Sequence, residues 1–322
     1  MLHLSYSQFS TLLFFYFRSV AQLFNKIQAY LYAFRLRTLP LAFSSIITGS
    51  FIAYHDDFSN RTFGLALLTT LLLQVLSNLA NDYGDSQKGT DNADRIGPVR
   101  AIQGGMLSVV EIKWAIGICT VLCLGTGCSL IYVSLHEQAI EALLFLVLGI
   151  GAITAAIKYT VGKGAYGYYG MGDIFVLLFF GIVGVGGSHY LQVHRLDLTV
   201  WAMGLSIGCF ATGVLNLNNM RDREGDQKAG KNTIVVKIGA LNAVRYHTLL
   251  LLLGWAVALC YTYTHLSTSV DYIYVLTAPL FWRNIAAVWR IKDPRDYDPL
   301  LKQLAIATFL FSIFFGIGQV VG

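Results

Sequence analysis

Apolar stretches close to twenty residues long recur along almost the whole chain, separated by short polar runs that hold most of its charge. A helix needs about 20 such residues to cross a hydrocarbon core of ~30 Å. On this spacing nine membrane spans are expected, at 38–55, 62–82, 113–133, 139–157, 171–188, 198–219, 244–264, 271–289 and 303–320. Pro40, just inside the first, suits the opening turn of a helix, where its missing N–H is not needed. The stretch 4–17 is apolar but too short to span and is followed by Arg18, so residues 1–27 are expected to be an N-terminal extension, either an interfacial helix or upstream sequence outside the working protein. Residues 28–322 are expected to form a single transmembrane domain.

Composition agrees with the pattern. The chain is 55% hydrophobic and 13% charged, where soluble domains run near 45–50% and about 25%. The expected class is therefore all-α, a polytopic bundle embedded in lipid. Cys119, Cys123, Cys128, Cys209 and Cys260 lie inside apolar stretches without the paired spacing of a zinc site, and they read as small packing residues.

Charge gives the topology. If the nine spans alternate, all but Arg61 and Arg195 of the 23 Lys and Arg residues fall on one side. The positive-inside rule makes that side cytoplasmic, with the N-terminus and the long polar loops there and the C-terminus outside. The net charge of +5 is thereby used by topology, and no nucleic acid partner is expected.

Two of the cytoplasmic exits carry chemistry. The second span ends in Asn78, Asn81, Asp82 and Asp85, with Asp91 beyond, and the sixth ends in Asn218, Asp222 and Asp226. Helical spacing puts Asn78, Asp82 and Asp85 on one stripe with Asn81 at its edge, and aligns Asn218, Asp222 and Asp226 likewise. Oxygen ligands without His or Cys select a hard cation, and Mg²⁺ binds through a few carboxylates while keeping water and substrate phosphate. All eight residues are therefore candidate Mg²⁺ ligands. Bases follow each stripe: Lys88, Arg95 and Arg100 after the first, and Arg221, Arg223, Lys228 and Lys231 after the second. Metal and bases together suit a diphosphate leaving group, while the apolar bundle offers room for a lipid-soluble tail.

A lone segment of this kind reads equally well as a solvated helix end. Two matched segments on one face do not, and a secondary transporter would carry its acids nearer mid-membrane. A membrane scaffold gives no reason for either stripe.

The run Asn81, Asp82, Asp85 and Asp91, with Asp222 and Asp226 later, resembles the two motifs of the UbiA-type family of intramembrane aromatic prenyltransferases. The likeness runs from about residue 28 onward and includes the ArgLeuArgThrLeuPro at 35–40. It implies catalytic roles for Asp85, Asp91, Asp222 and Asp226. It adds Tyr159 and Lys163 as a Tyr-x-x-x-Lys element facing the diphosphate and the allylic carbon, Arg37 as a diphosphate contact, and Asp173 as an orienting acid. The wording of both motifs looks most like the branch that prenylates 1,4-dihydroxy-2-naphthoate, which implies a polyprenyl diphosphate donor, loss of CO2 and a bacterial plasma membrane. Spacing alone leaves 4-hydroxybenzoate, homogentisate and haem open as acceptors. Asp91 stands six residues after Asp85 where the wider family often has four, and Asn218 stands where many members have Asp.

Overall fold

The structure, a computed structural model, describes residues 6–90, 96–195, 197–265 and 268–322, with side chains from Val20 onward. The described residues are helical and contain no strand. The long elements are α1 (Tyr6–Phe34), α2 (Leu39–Ile52), α3 (Asn60–Lys88), α4 (Val109–Leu135), α5 (Ala139–Lys158), α6 (Gly172–Val193), α7 (Val200–Lys228), α8 (Ala240–His265), α9 (Ala278–Val288) and α10 (Tyr297–Val321).

Seven of these among the described residues, α3 to α8 and α10, are long and apolar enough to cross a membrane without interruption. The remaining two of the nine expected spans are present but broken. α2 has 14 residues, a rise of about 21 Å. It carries buried Ser44, Ser45, Thr48 and Ser50 and packs among α3, α6, α7 and α10, so its surroundings are protein on every side. The stretch 271–289 divides into a 3-10 segment, Ser269–Thr277, and α9. Pro279 in the first turn of α9 cannot donate to the helix before it, which is why the two do not fuse.

α7 is the innermost span, and α4 and α5 are the outermost. Trp114, Ile118 and Val121 on α4 and Ile140, Leu143 and Val147 on α5 are exposed, as a lipid-facing surface requires. Elsewhere in the bundle, Phe210, Trp255, Tyr274, Phe281 and Phe311 form an aromatic core tying α7, α8, the 3-10 segment, α9 and α10 together.

α6 and α7 pack backbone to backbone. A π-helical stretch, Leu177–Gly186, places Gly181 so that an added Cβ would run into the Gly204 carbonyl and the Gly208 backbone. Close approach through small residues is how helices gain contact in lipid, where apolar burial drives nothing. Gly181→Val is expected to cost about 1–3 kcal/mol through overpacking, read as a lower melting temperature of the purified protein in detergent; an unchanged value would contradict the close packing.

α1 is one continuous helix through residues 27 and 28, so the expected boundary falls in mid-helix. Ala29 and Ala33 face Val75, Leu76 and Leu79 of α3, while Leu23, Phe24, Ile27 and Leu31 remain exposed. Lys26 pairs with Glu111 at the start of α4 at 2.7 Å. The helix end is pinned by Tyr32, whose hydroxyl donates to the Val99 carbonyl at 2.7 Å.

Candidate active site

The last two turns of α3 divide their polar side chains between structure and chemistry. Asn78 donates through Nδ2 to the Phe34 carbonyl (2.9 Å) and the Thr38 hydroxyl (3.1 Å), and its Oδ1 accepts from Gln74. Asp82 is 1% exposed and accepts the backbone N–H groups of Ala101 (3.0 Å) and Ile102 (3.4 Å). These two residues, expected as metal ligands, fasten the α1–α2 corner and the loop after α3. Arg100, next to the residues Asp82 holds, reaches Asp85 at 3.6 Å.

Asn81 and Asp85 complete the stripe. The Asn81 Oδ1 accepts from Thr160 at 3.3 Å. Thr160 also donates to the Ala80 carbonyl at 3.0 Å, and an added Cβ on Gly84 would strike it, so the glycine inside this motif is what lets the turn after α5 lie on α3. The buried Asp85 accepts the Tyr168 hydroxyl at 2.9 Å.

The end of α7 supplies the second half. Arg221 is 4% exposed and grips Asp222 with Nε (2.9 Å) and Nη2 (2.8 Å), Asn218 with Nη2 (2.8 Å) and Asp298 with Nη1 (2.6 Å). Asp226 pairs through Oδ1 with Lys231 at 3.4 Å, and its Oδ2 is buried without a hydrogen-bond partner among the described residues. Asn219 is in the same condition: it is buried and its Oδ1 is unpaired. Asn219 is not among the ligands expected from sequence, yet Asn219, Asp222 and Asp226 repeat at i, i+3, i+7 and share a stripe.

Segment 166–171 joins the halves. The Tyr168 carbonyl accepts from the Asn232 N–H at 2.9 Å and Lys237 donates to the Tyr169 carbonyl at 2.9 Å. Lys88 lies 3.7 Å and Lys231 5.7 Å from the Tyr168 ring centre. Asp85 and Asp226 thus stand on either side of one tyrosine and one lysine. Burial opposes the charge on Lys231, but Asp226 and Asp85 outweigh it and hold the ammonium above the ordinary lysine range. Desolvation pushes the Tyr159 phenol up to about 12, with the Lys231 charge pulling the other way, so it remains a neutral hydroxyl.

The other expected residues are spread more widely. Lys163 is exposed between Gly162 and Gly164, and Lys228 and Arg37 are also exposed. Asp173 is buried and hydrogen-bonded to Tyr246, with Oδ2 unpaired among the described residues. Asp91 and Arg95 lie outside the described residues. Beside the two motifs a cavity of about 340 Å³ opens between α1, α2, α7 and α10. It combines Arg35, Arg37, Arg100, Arg221 and Lys302 with the apolar Leu41, Val214 and Leu301.

Among the described residues no three of His, Cys, Asp or Glu close into a preformed metal cage. A cation of the Mg²⁺ type does not need one, because it keeps waters and substrate phosphate in its shell. The unpaired Oδ2 of Asp226 and Oδ1 of Asn219 are hard oxygen donors of the kind it takes.

Comparison with known proteins agrees with this geometry. The chain is 42% identical over 311 residues to the 1,4-dihydroxy-2-naphthoate octaprenyltransferase of Haemophilus influenzae, covering 95% of this chain and 100% of that one. It is 42% identical over 298 residues to the enzyme of the same name from Escherichia coli, covering 92% and 96%. In fold it is similar to a UbiA homolog from Archaeoglobus fulgidus solved bound to DMAPP and Mg2+, with a TM-score of 0.62 over 91% of this chain and 99% of that one at 16% identity. The UbiA prenyltransferase family matches residues 42–318, and the chain belongs to that family.

Proposed function

We propose that the protein transfers a polyprenyl group from its diphosphate to 1,4-dihydroxy-2-naphthoate, releasing diphosphate and CO2 and giving a demethylmenaquinol. The observation that carries this is the meeting of the two Asp-rich helix ends around Tyr168 and Lys231 in a chain 42% identical to enzymes named for that reaction. Asn81, Asp85, Asn219, Asp222 and Asp226 would hold Mg²⁺, which when bound screens the charge that builds on the departing diphosphate. Asn78 and Asp82 are left to the scaffold, since their polar atoms are engaged there. Lys88, Arg100 and Lys231 line the same junction and would take the remaining phosphate oxygens, each through charge-assisted hydrogen bonds. Lys231 stays protonated at any working pH, so it supplies fixed positive charge.

Ionisation of the C–O bond leaves an allylic cation that needs a dry, electron-rich surround. Beside the junction Tyr159 meets Tyr166 edge to face and Tyr166 stacks on Phe175, with ring centres 5.3 and 3.9 Å apart, and aromatic faces attract cations. The acceptor is an aromatic acid. The cavity against α1 and α10 suits one, with Arg37 and Lys302 for the carboxylate and Leu41, Val214 and Leu301 for the rings. The donor tail then lies among the helices, and both active-site motifs face the cytoplasm of a bacterial plasma membrane, as the one-sided distribution of Lys and Arg supports.

The test is purified protein with Mg²⁺, a polyprenyl diphosphate and equal amounts of 1,4-dihydroxy-2-naphthoate and 4-hydroxybenzoate, with products weighed by mass spectrometry. A decarboxylated naphthoate product that disappears with EDTA and returns with added Mg²⁺ is expected. Preference for the benzoate would refute the acceptor, and turnover undiminished by EDTA would refute the metal.

A further inference from the structure

Tyr168 belongs to none of the sequence motifs, yet it touches Asp85 and Thr90 with its hydroxyl and Lys88 and Lys231 with its ring. We propose that Tyr168 is a positioning residue, which through its hydroxyl and ring sets the Asp85 carboxylate and the Lys88 and Lys231 ammonium groups in one arrangement for the metal-bound diphosphate. The proposal rests on the reading of Asp85 as a metal ligand.

The two ends of the side chain act oppositely. Its hydroxyl donates to Asp85 Oδ1 at 2.9 Å, which leaves Oδ2 on the side of Arg100, 3.6 Å away, and it meets the Thr90 hydroxyl at 2.5 Å. With the phenol proton given to Asp85, Thr90 donates to the phenol oxygen and locks the rotor. Meanwhile the ring attracts Lys88 at 3.7 Å and Lys231 at 5.7 Å, two ammonium groups that would otherwise repel each other.

The backbone shows the same purpose. Gly167 donates to the Tyr159 carbonyl at 3.0 Å and Asn232 donates to that of Tyr168 at 2.9 Å, so the tyrosine is held between the turn after α5 and the loop after α7. Gly170, at φ +81°, leaves no space for a side chain against the Asn232 carbonyl. A tyrosine needed only to fill space would not require its hydroxyl on a buried carboxylate and its ring under two cations. Outer residues that orient metal ligands commonly carry 10–100-fold in metal affinity.

The experiment measures Mn²⁺ affinity by electron paramagnetic resonance on the full-length protein in detergent, with an unreactive prenyl thiodiphosphate present. It compares wild type, Tyr168→Phe, Tyr168→Leu, Thr90→Val and Asp85→Asn, with steady-state KM values measured alongside. Tyr168→Phe is expected to weaken Mn²⁺ about 10-fold and raise KM for the prenyl diphosphate, leaving KM for the aromatic acceptor within about twofold. Tyr168→Leu, which also removes the ring, is expected to raise the diphosphate KM further. Mn²⁺ affinity in Tyr168→Phe equal to wild type, while Asp85→Asn loses it, overturns the proposal alone. Equal rises in both KM values overturn it too, since they signal general loosening. Full Mn²⁺ affinity in Asp85→Asn removes the metal reading and the proposal with it. Should the Tyr168 variants fail to fold, Thr90→Val, which frees only the rotor, still decides: about threefold weaker Mn²⁺ supports the role and unchanged affinity refutes it.

Discussion

Asp85→Ala is expected to lower kcat/KM for prenyl transfer about 10³-fold, close to 4 kcal/mol of transition-state stabilisation. The carboxylate is buried, with Tyr168 on one oxygen and Arg100 3.6 Å from the other. Alanine removes the proposed metal ligand from the place where leaving-group charge would develop, and Asp82 is engaged by the 101–102 backbone instead. Asp85→Asn separates charge from shape. The carboxamide still accepts from Tyr168, so its melting temperature is expected near wild type while its activity falls almost as far. Initial rates at saturating acceptor, beside thermal unfolding of the same preparations, check both statements. A kcat/KM for Asp85→Ala within tenfold of wild type would end the case for this carboxylate.

Much of this site could be read from spacing, and the part that could not has a common physical cause. The nearness of Asp85, Asp222 and Asp226 was legible because carboxylates at the end of an apolar span are costly unless used, and helical periodicity says which of them align. Periodicity says nothing about what an aligned group meets. Asn78 and Asp82 stand on the same stripe as Asp85 and are consumed by backbone groups at Phe34 and Ala101, contacts far along the chain. Asn219 was hidden by its neighbour Asn218, although of the two it is Asn219 whose Oδ1 is buried and unpaired among the described residues, while the Oδ1 of Asn218 accepts from Arg221. Tyr168 carries its role entirely through the approach of two distant loops, and a tyrosine in a Gly- and Tyr-rich turn gives no local sign of that. For the fold, hydropathy found every helical span but overcounted the continuous ones. α2 is apolar because it is enclosed by protein, and a core helix and a lipid-spanning helix have the same signature.

Arg221→Leu is expected to cost about 3–5 kcal/mol of stability and nearly all activity, because it removes one partner from a buried ion pair and leaves the other. Arg221 holds Asp222 by two hydrogen bonds, Asn218 by one and Asp298 by one, and the Gly97 backbone lies against its guanidinium, close enough that an added Cβ would sit 2.8 Å from Nη2. It therefore presents Asp222 to the site and seats the loop that carries Arg100. Arg221→Lys is expected to rescue little, since a single ammonium cannot reproduce the planar fork that reaches three side chains. Asp298→Asn supplies the contrast. Its side chain is 41% exposed, so this outer pair is worth at most about 1 kcal/mol, and the variant is expected to retain most of its melting temperature and activity. Unfolding of the purified protein by a denaturing detergent, compared across the three variants, reads the order directly. If Asp298→Asn destabilises as much as Arg221→Leu, the network is held from α10, and Arg221 loses its place as the residue that orients Asp222.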